Sequence, residues 1–330
     1  MVTVNLLAYN EEKYIKETLE TIVNQTYQDM KIVVGDNHST DNTTKIVKDF
    51  IANGNPIHLV ENTENIGFGN ALKLSKLSTT EYITIYHTDD IYDSDIVKEE
   101  ITACEKYNLD ACFTDIRNFY PDGHTEYYKR EYLNKYLTQD QDIYLLDKPS
   151  VINDTIRYGQ LTACPTMMIR KSVFEELGGF EKTPALNSYY NADTWLEIKL
   201  LKHNYRIGII PKPMISYRIS EEQWSSISRR PGSYNPYYDD IDWFINNNPD
   251  FNFDKRTLAD YYKRKTINIC NCINYNKKCG DSIAVEEFTK KLKDFPYNKN
   301  VVIKYYIKSF VKILIRYDKL KNIVFKRKHD

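Results

Sequence analysis

Several absences narrow the reading of this chain. Charge of one sign is missing: 45 Lys and Arg stand against 46 Asp and Glu in 330 residues, a net charge of −1. A nucleic-acid binder carries a basic footprint, so that partner class is excluded for the molecule as a whole. Long apolar runs are missing too, none reaching the ~20 residues that a membrane span requires. The N-terminal stretch beginning Met1, Val2, Thr3 carries no cationic leader, which argues against a signal peptide and for a cytoplasmic protein. The cysteines, Cys104, Cys112, Cys164, Cys270, Cys272 and Cys279, form no repeated CxxC pair and have no histidine at zinc spacing; they read as reduced thiols. No internal repeat is visible, and nothing in the sequence sets an oligomeric state.

What is present is a chain with 42% hydrophobic content, enough for a full core. Short apolar runs alternate with amphipathic segments. Val2 to Leu7 reads as a strand, and Ile15, Thr18, Leu19 and Ile22 then recur at helical spacing. The same alternation continues through strands at Ile32 to Val34, Ile57 to Val60, Tyr82 to Tyr86 and Asp110 to Phe113. Repeated βα units predict an α/β fold with a Rossmann-like, mostly parallel central sheet and helices on both faces, ligands sitting outside the carboxyl ends of the strands. Residues 120–157 turn polar and tyrosine-rich and read as a surface excursion placed to cover a substrate. A strand from Ala163 to Ile169, a helix from Ser172 to Leu177 stopped at Gly178 and Gly179, a helix from about Thr194 and a strand Met214 to Arg218 follow. We expect one domain over 1–220, with halves at about 1–115 and 116–220, and a mainly helical extension over 221–330.

The loops after the strands carry the chemistry. The first, Ala8-Tyr9-Asn10-Glu11-Glu12, contains no glycine and cannot form the phosphate cradle of a dinucleotide fold. Asp36 emerges from the second strand, placed to accept from a ligand N–H, whereas Ser39, Thr40 and Asp41 also suit a turn and cap. The strand from Tyr82 delivers His87-Thr88-Asp89-Asp90. Two adjacent carboxylates at a buried strand end repel each other and lose solvation, which a divalent cation would offset. Hard oxygen ligands favour Mg²⁺ or Mn²⁺ shared with a diphosphate, although the same pair also suits the start of a surface loop.

Four segments in order, Tyr9-Asn10-Glu11-Glu12, Gly35-Asp36-Asn37-His38-Ser39-Thr40-Asp41, Glu61 to Asn70 and His87-Thr88-Asp89-Asp90, make the N-terminal domain resemble the family 2 glycosyltransferases. The resemblance implies the GT-A fold of nucleotide-diphospho-sugar transferases, a nucleotide-sugar donor (UDP foremost), Mn²⁺ or Mg²⁺, and inversion at the anomeric carbon. It implies donor contacts from Ala8, Tyr9, Asn10, Glu11, Asp36, Asn65, Gly67, Asn70, Thr88 and Asp89, with the metal on Asp89 and Asp90. Two departures stand out. His87 occupies a position where the family often has aspartate, and His38 one where glycine is frequent.

Inversion needs a carboxylate to take the acceptor proton. Gly178-Gly179-Phe180-Glu181 followed by Asn191-Ala192-Asp193-Thr194-Trp195 resembles the family segment that supplies it, so Asp193 falls on the expected base; as a plain helix start it would serve as an N-cap. Ala192 replaces the neighbouring family acid, and Ser220 stands where many relatives have histidine. His87, Trp195 and Arg218 are further candidates for ligand, wall and phosphate contact. Between 301 and 325, Ile303, Ile307, Phe310 and Leu314 oppose Lys304, Lys308, Lys312 and Arg316, an amphipathic basic helix suited either to packing or to an anionic bilayer that presents a lipid-linked acceptor. A glycan acceptor fits equally. The competing readings are a catalytically silent nucleotide-sugar or glycan-binding scaffold and a sugar-phosphate nucleotidyltransferase, the latter opposed by the glycine-free first loop.

Overall fold

The computed structural model describes residues 1–220, 230–295 and 302. The basic segment 301–325 therefore lies outside the described residues, apart from Val302. The chain divides into two compact units, Met1–Gln223 with Asp239–Pro249, and Trp224–Tyr238 with Asp250–Asp330.

The first unit is built on one sheet of mixed direction. Strands β1 (Val2–Ala8), β2 (Met30–Asp36), β3 (Ile57–Glu61) and β4 (Tyr82–His87) are parallel, in the order β3-β2-β1-β4. Three helices join them in turn: α1 (Ile15–Val23), α2 (Thr43–Ala52) and α3 (Gly69–Leu77). On α1, Ile15, Thr18, Leu19 and Ile22 form the buried stripe that the 3.6-residue period dictates. After a short β5 (Ile91–Tyr92) and α4 (Ile96–Tyr107), β6 (Ala111–Phe119) does not pair with β4. β9 (Met167–Arg170) runs antiparallel between them, so the sheet is parallel in its first half and mixed in its second.

β10 (Ile207–Arg218) lies parallel to β6 and reaches further back than the sequence pattern suggested. Its register shifts around Pro213, where a strand proline removes a ladder donor. The bend lets one end pair with β8 (Tyr144–Leu146) and the other with β5.

Residues 120–157 are more than a surface excursion. They include β7 (Thr125–Glu126), β8 and the start of α5 (Ile152–Tyr158), and they bury Leu133, Ile143, Tyr144, Leu146, Ile152 and Ile156. The unit continues with α6 (Lys171–Glu176), α7 (Ala192–Lys202) and the Asp239–Asn247 part of α8 (Tyr237–Asn247).

In the second unit, α9 (Lys255–Cys279) and α10 (Ser282–Lys293) close on Ile269, Cys270, Ile273 and Leu292. Asp254 and Asp281 cap them by accepting from the Thr257 and Ala284 N–H groups. No helix among the described residues is long and apolar enough to cross a membrane.

Candidate active site

Because β1, β2, β4, β6 and β10 point the same way, their carboxyl ends share one edge, and the singled-out residues gather there. Ala8 is in register with Asp36, and Leu7 with His87. Asp36 is buried; Oδ2 accepts from the Ser39 N–H at 3.1 Å, whereas buried Oδ1 has no hydrogen-bond partner among the described residues. Tyr9, beside it in sequence, is 46% exposed at the rim.

The first two loops are zipped together. Asn10 takes φ +55° and presents Oδ1 to the Thr40 N–H at 2.8 Å, while its own N–H donates to Ser39 Oγ at 2.9 Å. The Glu11 N–H donates to Thr43 Oγ1 at 2.7 Å, and Glu12 Oε2 accepts from the Asn42 N–H at 3.0 Å. His38 stands at φ +68°, a left-handed conformation that favours glycine and that histidine tolerates better than most residues.

Asn37, unassigned in the sequence reading, organises the third loop. Its Nδ2 donates to Asn65 Oδ1 at 2.8 Å and to the Gly67 carbonyl at 3.1 Å; its Oδ1 accepts from the Ile66 N–H at 3.0 Å. Gly67 sits at φ +58°, and a Cβ there would meet the Tyr189 ring at 3.1 Å. Asn65 is exposed. Asn70 is not: its amide donates to the Gly35 carbonyl at 2.8 Å and accepts from Asn62 at 3.0 Å, so its side chain ties α3 to β2.

The acidic pair is held from below. Thr18 Oγ1 donates to the carbonyls of Thr88 at 2.9 Å and Asp90 at 2.7 Å, and Thr88 Oγ1 donates to the Leu7 carbonyl at 2.9 Å. Thr88 thus fixes the backbone rather than facing outward. Asp90 is fully buried; Oδ1 accepts from the Arg218 N–H at 2.9 Å, and Oδ2 has no hydrogen-bond partner among the described residues. Burial, then the charges of Asp89 and Glu11, push the Asp90 carboxyl well above its ordinary range, while the Arg218 N–H and guanidinium oppose this. Arg218 is a clamp: Nε donates to the Asp89 carbonyl at 2.8 Å, the guanidinium pairs with Glu17 at 2.5 Å, and it lies over the Tyr14 ring at 4.4 Å.

One ligand atom each from His87, Asp89 and Asp90 lies within 4.8 Å of the others. The two carboxylates are hard oxygen donors that suit Mn²⁺ or Mg²⁺, and the buried, unpartnered Oδ2 of Asp90 is an acceptor that a cation would satisfy. His87 Nε2 lies 3.7 Å from Cys164 Sγ. Burial holds the imidazole below its ordinary pKa, opposed by the charges of Asp89 and Asp193, so the ring feels a carboxylate from the β4 loop and one from α7. A neutral ring is the form that binds metal.

Asp193 lies in the first turn of α7, one residue inside the helix rather than at the cap, which is Asn191. Its Oδ1 accepts from the Thr194 N–H at 2.8 Å. Burial raises the carboxyl; the Thr194 N–H, Gln160 and His87 favour the ionised form. Trp195 turns away into packing, edge-on to Trp243 at 5.5 Å and Phe244 at 6.1 Å. Missed by the sequence reading is Glu197, 1% exposed, whose carboxylate accepts from the Leu161 N–H at 3.0 Å, the Thr162 N–H at 2.8 Å and the hydroxyls of Thr162 and Thr155 at 2.7 Å. Nothing in the local pattern marks it, since its partners lie 35 to 42 residues away.

Comparison with known proteins bears on this arrangement. A family model described as Glycosyl transferase family 2 matches residues 3–178. An uncharacterized glycosyltransferase of Methanocaldococcus jannaschii is 27% identical over 233 residues, covering 66% of this chain and 71% of that protein. Two further curated relatives, glycosyltransferases of Haemophilus influenzae and Streptococcus pneumoniae, match over shorter stretches, 33% and 40% of their length. Among solved structures, residues 1–349 of TarS of S. aureus in complex with UDP-GlcNAc superpose with a TM-score of 0.56 at 16% identity, covering 83% of this chain and 79% of that fragment. The mannosyltransferase PcManGT from Pyrobaculum calidifontis, in complex with GDP-Man and Mn²⁺, gives 0.54 at 18%, covering 95% and 86%. At these identities the structural likeness establishes the fold, a mixed α/β sheet of glycosyltransferase type.

Proposed function

The chain belongs to glycosyl transferase family 2, and from that premise we propose that it is an inverting, metal-dependent transferase moving a sugar from a UDP-sugar to an acceptor hydroxyl. The acceptor is a glycan or lipid-linked saccharide of the kind built in surface polysaccharide synthesis. The observation that carries this reading is that an open acceptor on Asp36 and the Asp89 and Asp90 pair gather at one edge of the sheet, with His87 feeling the charges of both Asp89 and Asp193.

Tyr9 lies against the base and Asp36 accepts its N–H. One open oxygen fits the single ring N–H of a pyrimidine better than the two donors on a guanine edge, and TarS, a structural neighbour, binds UDP-GlcNAc. Asp89 contacts the ribose and diphosphate and, with Asp90 and His87, would hold Mn²⁺ or Mg²⁺, which when bound neutralises charge on the departing diphosphate. Asp193 takes the proton of the acceptor hydroxyl. That oxygen forms its bond to the anomeric carbon from the face opposite the diphosphate, whose bond to the same carbon breaks, inverting the centre. Arg218 and Thr18 keep the pair in place; neither touches the reacting atoms.

The test is nucleotide release from a panel of UDP-, dTDP- and GDP-sugars with Mn²⁺ or Mg²⁺, with simple glycosides as acceptors. Metal-dependent release from a UDP-sugar is expected. Binding of all the nucleotides with release from none would favour a silent nucleotide-sugar module instead.

A further inference from the structure

Glu197 is used by nothing in the mechanism above, yet it is the best-bonded acid near Asp193. The two stand four residues apart on α7, hence on one helix face, and both line a cavity of about 10 Å³ shared with Gln160, Thr162 and Cys164. Such a space holds about one water. A buried carboxylate that gains two backbone N–H groups and two hydroxyls is doing more than filling the core; its bonds converge on one short loop, residues 160–162. At the head of that loop, Gln160 lines the same cavity as Asp193 and favours its ionised form. Its Nε2 is buried and has no hydrogen-bond partner of standard geometry among the described residues.

We propose that Glu197 is a positioning residue for transfer: by binding the Leu161 and Thr162 amides it fixes the 160–162 loop, and through Gln160 it fixes the orientation of the Asp193 carboxylate. The inference rests on the reading of Asp193 as the base. Glu197→Gln leaves one acceptor oxygen where two now serve Thr155, Leu161 and Thr162, and sets an N–H beside Thr155 and the Leu161 N–H, so the charge-assisted hold on the loop weakens. Displacement of the base by about 1 Å is enough to slow proton transfer about a hundredfold. The donor site, made by other loops, is untouched.

The experiment uses the full chain with whichever nucleotide sugar the release panel selects. Glu197→Gln and Gln160→Ala are each expected to lower kcat about tenfold to a hundredfold while donor KM stays within about twofold. The double variant is expected to be no slower than Glu197→Gln alone, because Gln160 acts only through the fixed loop. A simple staple would lower Tm without that coupling. Wild-type kcat in Glu197→Gln, or losses that multiply in the double variant, overturns the proposal. If Glu197→Gln does not fold, Thr162→Val removes one bond and keeps the carboxylate; it should lower kcat, and wild-type kcat there overturns the proposal equally. Asp193→Asn separates the two readings. If it is active, the base assignment fails; if it is inactive while Glu197→Gln is unimpaired, only the positioning role fails.

Discussion

The backbone N–H of Arg218 donates to Oδ1 of Asp90 at 2.9 Å, across 128 residues of sequence. The last strand of the sheet thereby orients a carboxylate delivered by the fourth, and the guanidinium of the same residue grips the Asp89 carbonyl and Glu17.

Arg218→Ala keeps the N–H and loses the grip. Groups that orient metal ligands are worth about ten- to hundredfold in affinity. Mn²⁺ binding, followed by the loss of the free-ion paramagnetic resonance signal, should weaken by that order. The ion pair with half-exposed Glu17 contributes little by itself. Unchanged Mn²⁺ affinity would show that Arg218 is ordinary packing.

Asp36→Asn tests the base contact. Asn presents either a carbonyl or an amide toward the ligand, and it replaces a charge-assisted bond worth about 1.5–3 kcal/mol. Calorimetry with UDP should show affinity lower by about tenfold or more. Equal affinity would place the base elsewhere.

Glu100 gives a pH prediction independent of activity. It is fully buried on α4; Oε2 accepts from the Tyr86 hydroxyl at 2.5 Å, and Oε1 has no hydrogen-bond partner among the described residues. Burial pushes its carboxyl well above the ordinary range, a shift the Tyr86 bond only partly opposes. With a raised folded pKa, the folded and unfolded states are both protonated in acid. As pH rises past the unfolded value, only the unfolded state releases its proton, so stability falls by about 1.4 kcal/mol per pH unit until the folded group ionises. Glu100→Gln removes this dependence. The Tm of the variant minus that of the wild type should therefore grow between pH 5 and pH 8; a difference constant with pH would contradict the burial of a neutral acid.

The fold was legible where its signals are local. Period and burial agree on α1 and on β1 through β4, because each apolar position contacts the core in its own unit. β8 has only three residues, and its place beside β10 depends on a bend at Pro213, so a polar, tyrosine-rich stretch hid buried Leu133, Ile143 and Ile152. The insertion of antiparallel β9 between β4 and β6 is likewise a choice of long-range partner that periodicity does not encode.

The same division runs through the site. Asp36, Asp89 and Asp90 are visible because strand ends announce them. Thr18, which reaches the Asp90 carbonyl across 72 residues, and Asn37, which spans 28 to Asn65, are visible only once the chain is folded. Trp195 shows the converse: its position beside Asp193 suggests a wall, and its ring packs on Trp243 instead.

The central claim is that Asp193 takes the acceptor proton. Its most direct test is single-turnover transfer by Asp193→Asn with nucleotide affinity measured on the same sample. Asparagine keeps the shape but cannot accept the proton, so the rate should fall about 10²- to 10⁴-fold while UDP affinity and Tm stay close to wild type. Transfer at the wild-type rate would contradict the account.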